Sequence, residues 1–196
     1  MKKARIAALL IGGALHTGAW AQGARVERID GGVAVTPTAG PAARVAVTVH
    51  GDGIMHVVAT PRGVDTGTLA PSLMAPTPPV AGHYAVAERA GHVRIAAAAA
   101  TADIDVATGR VRFLDPAGRE LLAESGATAF APTDIDGKRF VTVSQQFNRG
   151  SDEGLYGLGQ HQQAKMDMNG EDVALAQHNM DIAVPFVVST RGYGLL

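Results

Sequence analysis

The stretch Val45-Ala46-Val47-Thr48-Val49-His50, then Gly51-Asp52-Gly53, then Ile54-Met55-His56-Val57-Val58-Ala59 decides the fold class. Apolar and polar residues alternate in the first run, so its side chains divide between two faces of a strand. Glycine accepts positive φ at no steric cost, so Gly-Asp-Gly reads as a hairpin turn. The second run is β-branched and stops at Pro61, which cannot donate to a ladder. His50 and His56 flank the turn and can approach each other across the hairpin.

The same grammar repeats outward. Ala102-Asp103-Ile104-Asp105-Val106 reads as a half-buried strand with its acids facing out, turning at Thr108-Gly109. Arg110 to Leu114 alternates and turns at Asp115-Pro116-Ala117-Gly118. Arg139 to Gln145 and Pro185 to Thr190 read as further strands, the latter turning at Arg191-Gly192 toward Tyr193. Ala96 to Ala100 favours helix by propensity, but it lies between two strand patterns and is read as strand. Met74 to Gly82 holds three prolines and reads as a surface loop. No segment carries a long helical stripe. Many short strands with Gly and Pro turns give an all-β chain, an antiparallel β-sandwich or a barrel.

The first residues tell about address. Met1-Lys2-Lys3-Ala4-Arg5 is basic, Ile6 to Leu15 is apolar, and Ala19-Trp20-Ala21 is a small-x-small site. That order reads as a secretory signal peptide over 1–21, of a bacterial export type, with the β domain occupying 22–196. The apolar run falls short of the ~20 residues a membrane span needs. The expected location is periplasmic or secreted. Cleavage after Ala21 leaves 14 basic and 18 acidic residues, a net charge of −4. With no basic run, nucleic-acid binding has no electrostatic support. There is no cysteine, so the exported domain rests on its core alone.

Several chemistries lack their residues. Gly154, Gly157 and Gly159 do not make a dinucleotide fingerprint, and no βαβ pattern surrounds them. They read instead as places where the backbone turns tightly beside another strand. The histidines show no metal-ligand spacing, and no serine sits in a nucleophile elbow. No cofactor is expected. Asp152-Glu153 and Glu171-Asp172 are adjacent acids that read as surface residues, since strand neighbours point to opposite faces.

Two stretches resemble family 31 glycoside hydrolases. Gly154-Leu155-Tyr156-Gly157-Leu158-Gly159-Gln160-His161-Gln162 is similar to the family's YGLG segment. Gln177-His178-Asn179-Met180-Asp181-Ile182-Ala183-Val184-Pro185-Phe186, with Arg191-Gly192-Tyr193-Gly194 after it, resembles a strand and turn of bacterial α-xylosidase-like members. Met180 departs from that pattern, which usually has a small polar residue there. Gly51 to Ile54 and Thr108 to Phe113 match more weakly.

The resemblance implies a β-sandwich, shaped like galactose mutarotase, placed before a (β/α)₈ catalytic barrel. In the family the barrel carries two aspartates, a nucleophile and a general acid. Retaining hydrolysis needs two such carboxylates about 5 Å apart, on loops at the barrel's carboxyl face. Leu195 and Leu196 fall inside an apparent hairpin strand, so the chain reads as cut short before any barrel, and no catalytic residue can be assigned in it. The implied role is the noncatalytic N-terminal domain of an α-glycosidase acting on an α-xyloside or α-glucoside, with the barrel of the same protein as partner.

The resemblance further implies that the stretch Asp167 to Asp181 lends a loop to the substrate pocket. Asp181, Asn179 and Gln177, with His178 behind them, are the candidate sugar contacts, since amides and carboxylates pair with hydroxyls. The plainer reading is that these residues cap turns and satisfy backbone groups. Two other functions remain open. One is an independent carbohydrate-binding or aldose-epimerising sandwich, with His161 and Glu171 as imaginable acid and base. The other is a structural module of the envelope.

Overall fold

A computed structural model describes residues 23–63, 83–126, 128–162 and 165–196. The expected signal peptide and the Met74–Gly82 loop lie outside the described residues.

The described residues are all-β, with antiparallel sheets and no helix. The first sheet holds β1 (Arg25–Ile29), β2 (Gly32–Thr36), β3 (Ala42–His50) and β4 (Ile54–Pro61), in that order. The second holds β5 (Ala85–Arg89), β6 (His92–Ala96), β7 (Thr101–Asp105), β8 (Val111–Leu114) and β9 (Glu120–Ala123). Both are meanders, the topology that short glycine turns allow. The deciding hairpin forms as read, with His50 opposite Ile54 and Val47 opposite Val57. Gly51 takes a φ of +70° at its turn.

The two meanders pack face to face as a sandwich. Val33, Val35, Val45, Val47 and Val49 of the first meet Val93, Ile95, Ala102, Ile104 and Val111 of the second. Ile95 and Ile104 have no exposed surface, and burying each contributes about 1.5–3 kcal/mol. Cross-links between the sheets fix the stacking. Asp52 O at the β3–β4 turn accepts from Ala99 N at 2.8 Å, and Arg28 of β1 donates to Val86 O of β5 at 3.3 Å.

Two sequence readings are corrected here. Ala96 ends β6, but Ala97 to Ala100 form the β6–β7 turn, closed by Ala97 N donating to Ala100 O at 2.9 Å. The small side chains let that turn sit against the neighbouring hairpin. Asp103 does point away from the core between Ala102 and Ile104, yet it is 1% exposed. It is roofed by charge. His92 Nδ1, Arg94 Nε and Arg112 Nε lie 3.1 Å from its carboxylate, and Arg112 Nη2 2.7 Å. Burial raises the carboxyl's pKa, but the Arg112 bond and the charges of Arg112, Arg94 and His92 outweigh it and hold it below the usual value.

Beyond the sandwich the chain forms a hairpin of β10 (Ala129–Ile135) and β11 (Lys138–Ser144). Its turn is Asp136-Gly137, both residues at positive φ. A third sheet of β12 (Leu155–Gln160), β13 (Ile182–Ser189) and β14 (Gly194–Leu195) follows. The β13–β14 hairpin read from Arg191-Gly192 is present, with Val188 opposite Gly194.

Candidate functional site

The third sheet positions the loop singled out from sequence. Within β12, Gly157, Leu158 and Gly159 all take positive φ, and the register with β13 shifts between the two glycines. A Cβ on Gly157 would lie 2.5 Å from Phe186 O, and one on Gly159 would lie 1.8 Å from Ile182 O. Only glycine permits this approach, as the sequence suggested. The bulge bends the strand, and His161 Nε2 lies 2.9 Å from Leu158 O beside it.

A buried acid braces the same sheet. Glu153, read from sequence as a surface residue, is 3% exposed. Its carboxylate accepts from Ser189 Oγ at 2.5 Å, Tyr193 Oη at 2.6 Å and Gly150 N at 3.1 Å. Arg191 Nη1 stands 3.9 Å away. Burial opposes the charge, but these donors and the arginine together hold the carboxyl below its usual range. The cause of the misreading is plain: three of its four partners lie 36–40 residues later, on the β13–β14 hairpin.

The loop begins by latching onto β12. Asp167 Oδ1 accepts from Leu155 N at 3.0 Å and Asn169 N at 2.9 Å, bonds that lower its pKa. Met168 N donates to Leu155 O at 2.7 Å. Asn169 Nδ2 donates to Gly150 O at 3.2 Å and also to Glu153 O. An open depression of about 440 Å³ lies at this latch, lined by Arg149, Asp152, Glu153, Asp167 and Asn169. Asp-x-Asn is a local turn signature that could have located the bond between Asp167 and Asn169 N, but the latching bonds to Leu155, Gly150 and Glu153 reach 12–19 residues back and show in no such window.

The loop ends in a turn that gathers the four candidates. Asp181 N donates to His178 O at 3.3 Å. Gln177 spans the turn with both ends of its amide: Nε2 donates to Asp181 O at 2.9 Å, and Oε1 accepts from Ala183 N at 3.4 Å. Gln162 Nε2 donates to Asn179 O at 3.4 Å. His178 and Asn179 have exposed side chains. Asp181 is half-buried, and its Oδ1 is shielded with no hydrogen-bond partner among the described residues. The turn thus uses Gln177 as a backbone clamp and leaves Asp181 an acceptor oxygen unspent. Among the described residues no group of three or more His, Asp or Glu converges to hold a metal ion. The imagined acid–base pair is engaged elsewhere, His161 with Leu158 O and Glu171 with Lys165 at 2.5 Å.

Comparison with known proteins gives a consistent picture. No family model matches the chain. An uncharacterized family 31 glucosidase of Pseudescherichia vulneris is 48% identical over 60 residues, 31% of this chain and 11% of that protein. An α-xylosidase of Saccharolobus solfataricus is 41% identical over 63 residues, 28% of this chain and 9% of that protein. The chain therefore spans about a tenth of the curated relatives it matches. The crystal structure of a family 31 α-xylosidase from Xanthomonas citri superposes with a TM-score of 0.78 at 40% identity, covering 86% of this chain and 18% of that one. A soil-metagenome α-xylosidase of the family, at 22% identity and a TM-score of 0.65, shares the fold over 87% of this chain and 27% of its own. By sequence and by fold alike, the chain is similar to the family 31 glycoside hydrolases, matching their N-terminal β-sandwich region.

Proposed function

We propose that this sandwich is the noncatalytic N-terminal domain of an exported retaining α-glycosidase. It packs against a barrel of the same polypeptide and lends the Asp167–Asp181 loop to the substrate pocket. The supporting observation is the third sheet's surface. Ile182, Val184, Phe186 and Val188 of β13, with Tyr156 of β12, are exposed apolar side chains. They alternate along β13 with the apolar Ala183, Pro185 and Val187. A strand apolar on both faces suits burial on both faces, and contiguous apolar surface of this kind marks an interface.

The substrate class is an α-xyloside or α-glucoside, in keeping with relatives named α-xylosidase and glucosidase. Asp181 is the foremost sugar contact, a half-buried carboxylate at the end of the loop, a group able to accept from a hydroxyl. Asn179 presents an exposed amide beside it, while Gln177 and His178 shape the turn.

Cysteine labelling tests the packing. The chain has no cysteine, so Val184→Cys introduces a single thiol. That thiol is expected to react freely in the isolated chain and to be protected at least tenfold in the polypeptide carrying the barrel. Equal reactivity in the two would remove the main support for the proposal.

A further inference from the structure

Among the described residues the β10–β11 hairpin is a sheet of two strands, with no third beside it. Such a ribbon is marginally stable until further strands join it. Its two edges are not equivalent. Asp136 and Gly137 have φ of 49° and 72°, the type I′ pair of a two-residue loop. Ile135 and Lys138, opposite each other at that loop, therefore exchange hydrogen bonds, as do the alternate pairs Thr133–Phe140, Ala131–Thr142 and Ala129–Ser144. The pairs between them, Asp134–Arg139, Pro132–Val141 and Phe130–Val143, turn their backbone groups outward. On the β10 edge Pro132 removes the central N–H, which blunts that edge. On the β11 edge Arg139, Val141 and Val143 each offer an N–H and a C=O, and none of these bonds to another backbone group of the described residues. Val143 is 58% exposed and Phe140 47%. An open, β-branched edge of this kind is a template for one more strand.

We propose that the strand is a second copy of β11, paired antiparallel across a twofold axis at Val141. The sequence of β11 complements itself in that register. Val141 meets Val141 of the other copy, Arg139 meets Val143, Phe140 meets Thr142 and Lys138 meets Ser144. The centre is apolar, an aromatic ring faces a β-branched side chain, and no like charges stand opposite each other. Arg139 lies about 14 Å along the sheet from its copy, beyond the ~10 Å reach of charges at 0.1 M salt. Within each copy the charges balance, Asp134 and Asp136 against Lys138 and Arg139. The pairing adds about six interchain hydrogen bonds and turns two ribbons into one four-stranded sheet, β10–β11–β11–β10. Its outer edges are then both β10, each blunted by Pro132, so the assembly closes at two copies instead of growing. The surface is separate from the β13 face assigned to the barrel.

Sedimentation equilibrium over a concentration series tests this, on this chain and on the polypeptide that carries the barrel. Both are expected to show a monomer–dimer equilibrium with no larger species. Val141→Pro removes the central outward N–H while leaving the bonds within the hairpin, and is expected to give monomers. The register itself is read from Val143, which is exposed and faces Arg139 of the other copy. Val143→Glu makes two opposite-charge pairs per dimer and Val143→Lys two like-charge pairs, so the dissociation constant of the lysine variant should exceed that of the glutamate variant at least about fourfold. Net charge alone gives the reverse order, because the chain is negative and glutamate makes it more so. Should Val141→Pro fail to fold, the Val143 pair decides. Monomers at every concentration would overturn the proposal, and so would species that keep growing beyond two. A dimer of this chain that is lost in the barrel-bearing polypeptide would mean that the same polypeptide covers the edge, and would overturn it too. A folded Val141→Pro variant that still pairs, or equal or reversed constants for the two Val143 variants, would do the same.

Discussion

The hydroxyl of Tyr193 donates to the carboxylate of Glu153 at 2.6 Å, across forty residues of chain. The bond ties the last hairpin to the residue where the loop's anchor begins, because Glu153's own carbonyl receives Asn169 Nδ2. One buried acid thus holds the third sheet and the foot of the candidate loop together.

Removing either partner should loosen both. Glu153→Ala leaves Ser189, Tyr193 and Gly150 N without their acceptor, and a loss of about 3–5 kcal/mol is expected in denaturant unfolding. Tyr193→Phe removes a single donor to a charged group, with an expected loss of about 1.5–3 kcal/mol. A Glu153→Ala variant as stable as the parent would show that the brace carries no load.

The same pair sets limits on pH. Glu153 titrates below the ordinary glutamate value of 4.5, so its stabilisation is complete above that value and is lost as pH falls through the lower folded one. Tyr193 is pushed up to about 12, first by burial and then by its bond to Glu153. Its contribution is complete below pH 10 and lost between 10 and 12. Melting temperatures across both ranges should fall less steeply in the Glu153→Gln and Tyr193→Phe variants respectively.

A milder acid sensitivity comes from the first sheet. The rings of His50 and His56 meet edge to face with centroids 5.8 Å apart. Burial, and then the neighbouring His50, lower the pKa of His56 below 6.5. The folded state therefore favours neutral His56, and that stability is lost as pH falls through its lowered value. His56→Gln, which cannot charge, should flatten the fall in melting temperature between pH 7 and 5. An unaltered slope would rule the residue out.

Glycine substitutions separate steric from conformational cost. Gly159→Ala drives a Cβ into Ile182 O and also strains a φ of +103°. Gly51→Ala meets nothing within 4 Å and bears only the strain of φ +70°. The first should prevent or cripple folding, at about 4 kcal/mol or more, and the second should cost about 1–2 kcal/mol. Similar losses at both sites would contradict the close strand approach in the YGLG stretch.

Local pattern carried much of the fold. The β3–β4 hairpin, β7, β8, β11 and the β13–β14 turn were legible because alternation and turn residues are properties of neighbours. The edge strands β1 and β5 went unread: Arg25-Val26-Glu27-Arg28-Ile29 and Ala85-Val86-Ala87-Glu88-Arg89 bury too little for a clear alternation. Asp103 and Glu153 were misread for a different reason. Each is kept in the fold by donors on other strands, and no window of sequence displays those partners. The candidate turn was located from its resemblance. That Gln177 clamps the backbone while Asp181 keeps an oxygen without a partner among the described residues emerged only from the geometry.

The proposed division of labour between sandwich and barrel is tested most directly by hydrolysis of an aryl α-xyloside and an aryl α-glucoside. Purified residues 22–196 are expected to release no aglycone above the buffer rate, and the polypeptide that carries the barrel is expected to turn over at least one of the two. Saturable turnover by the sandwich alone would contradict the account.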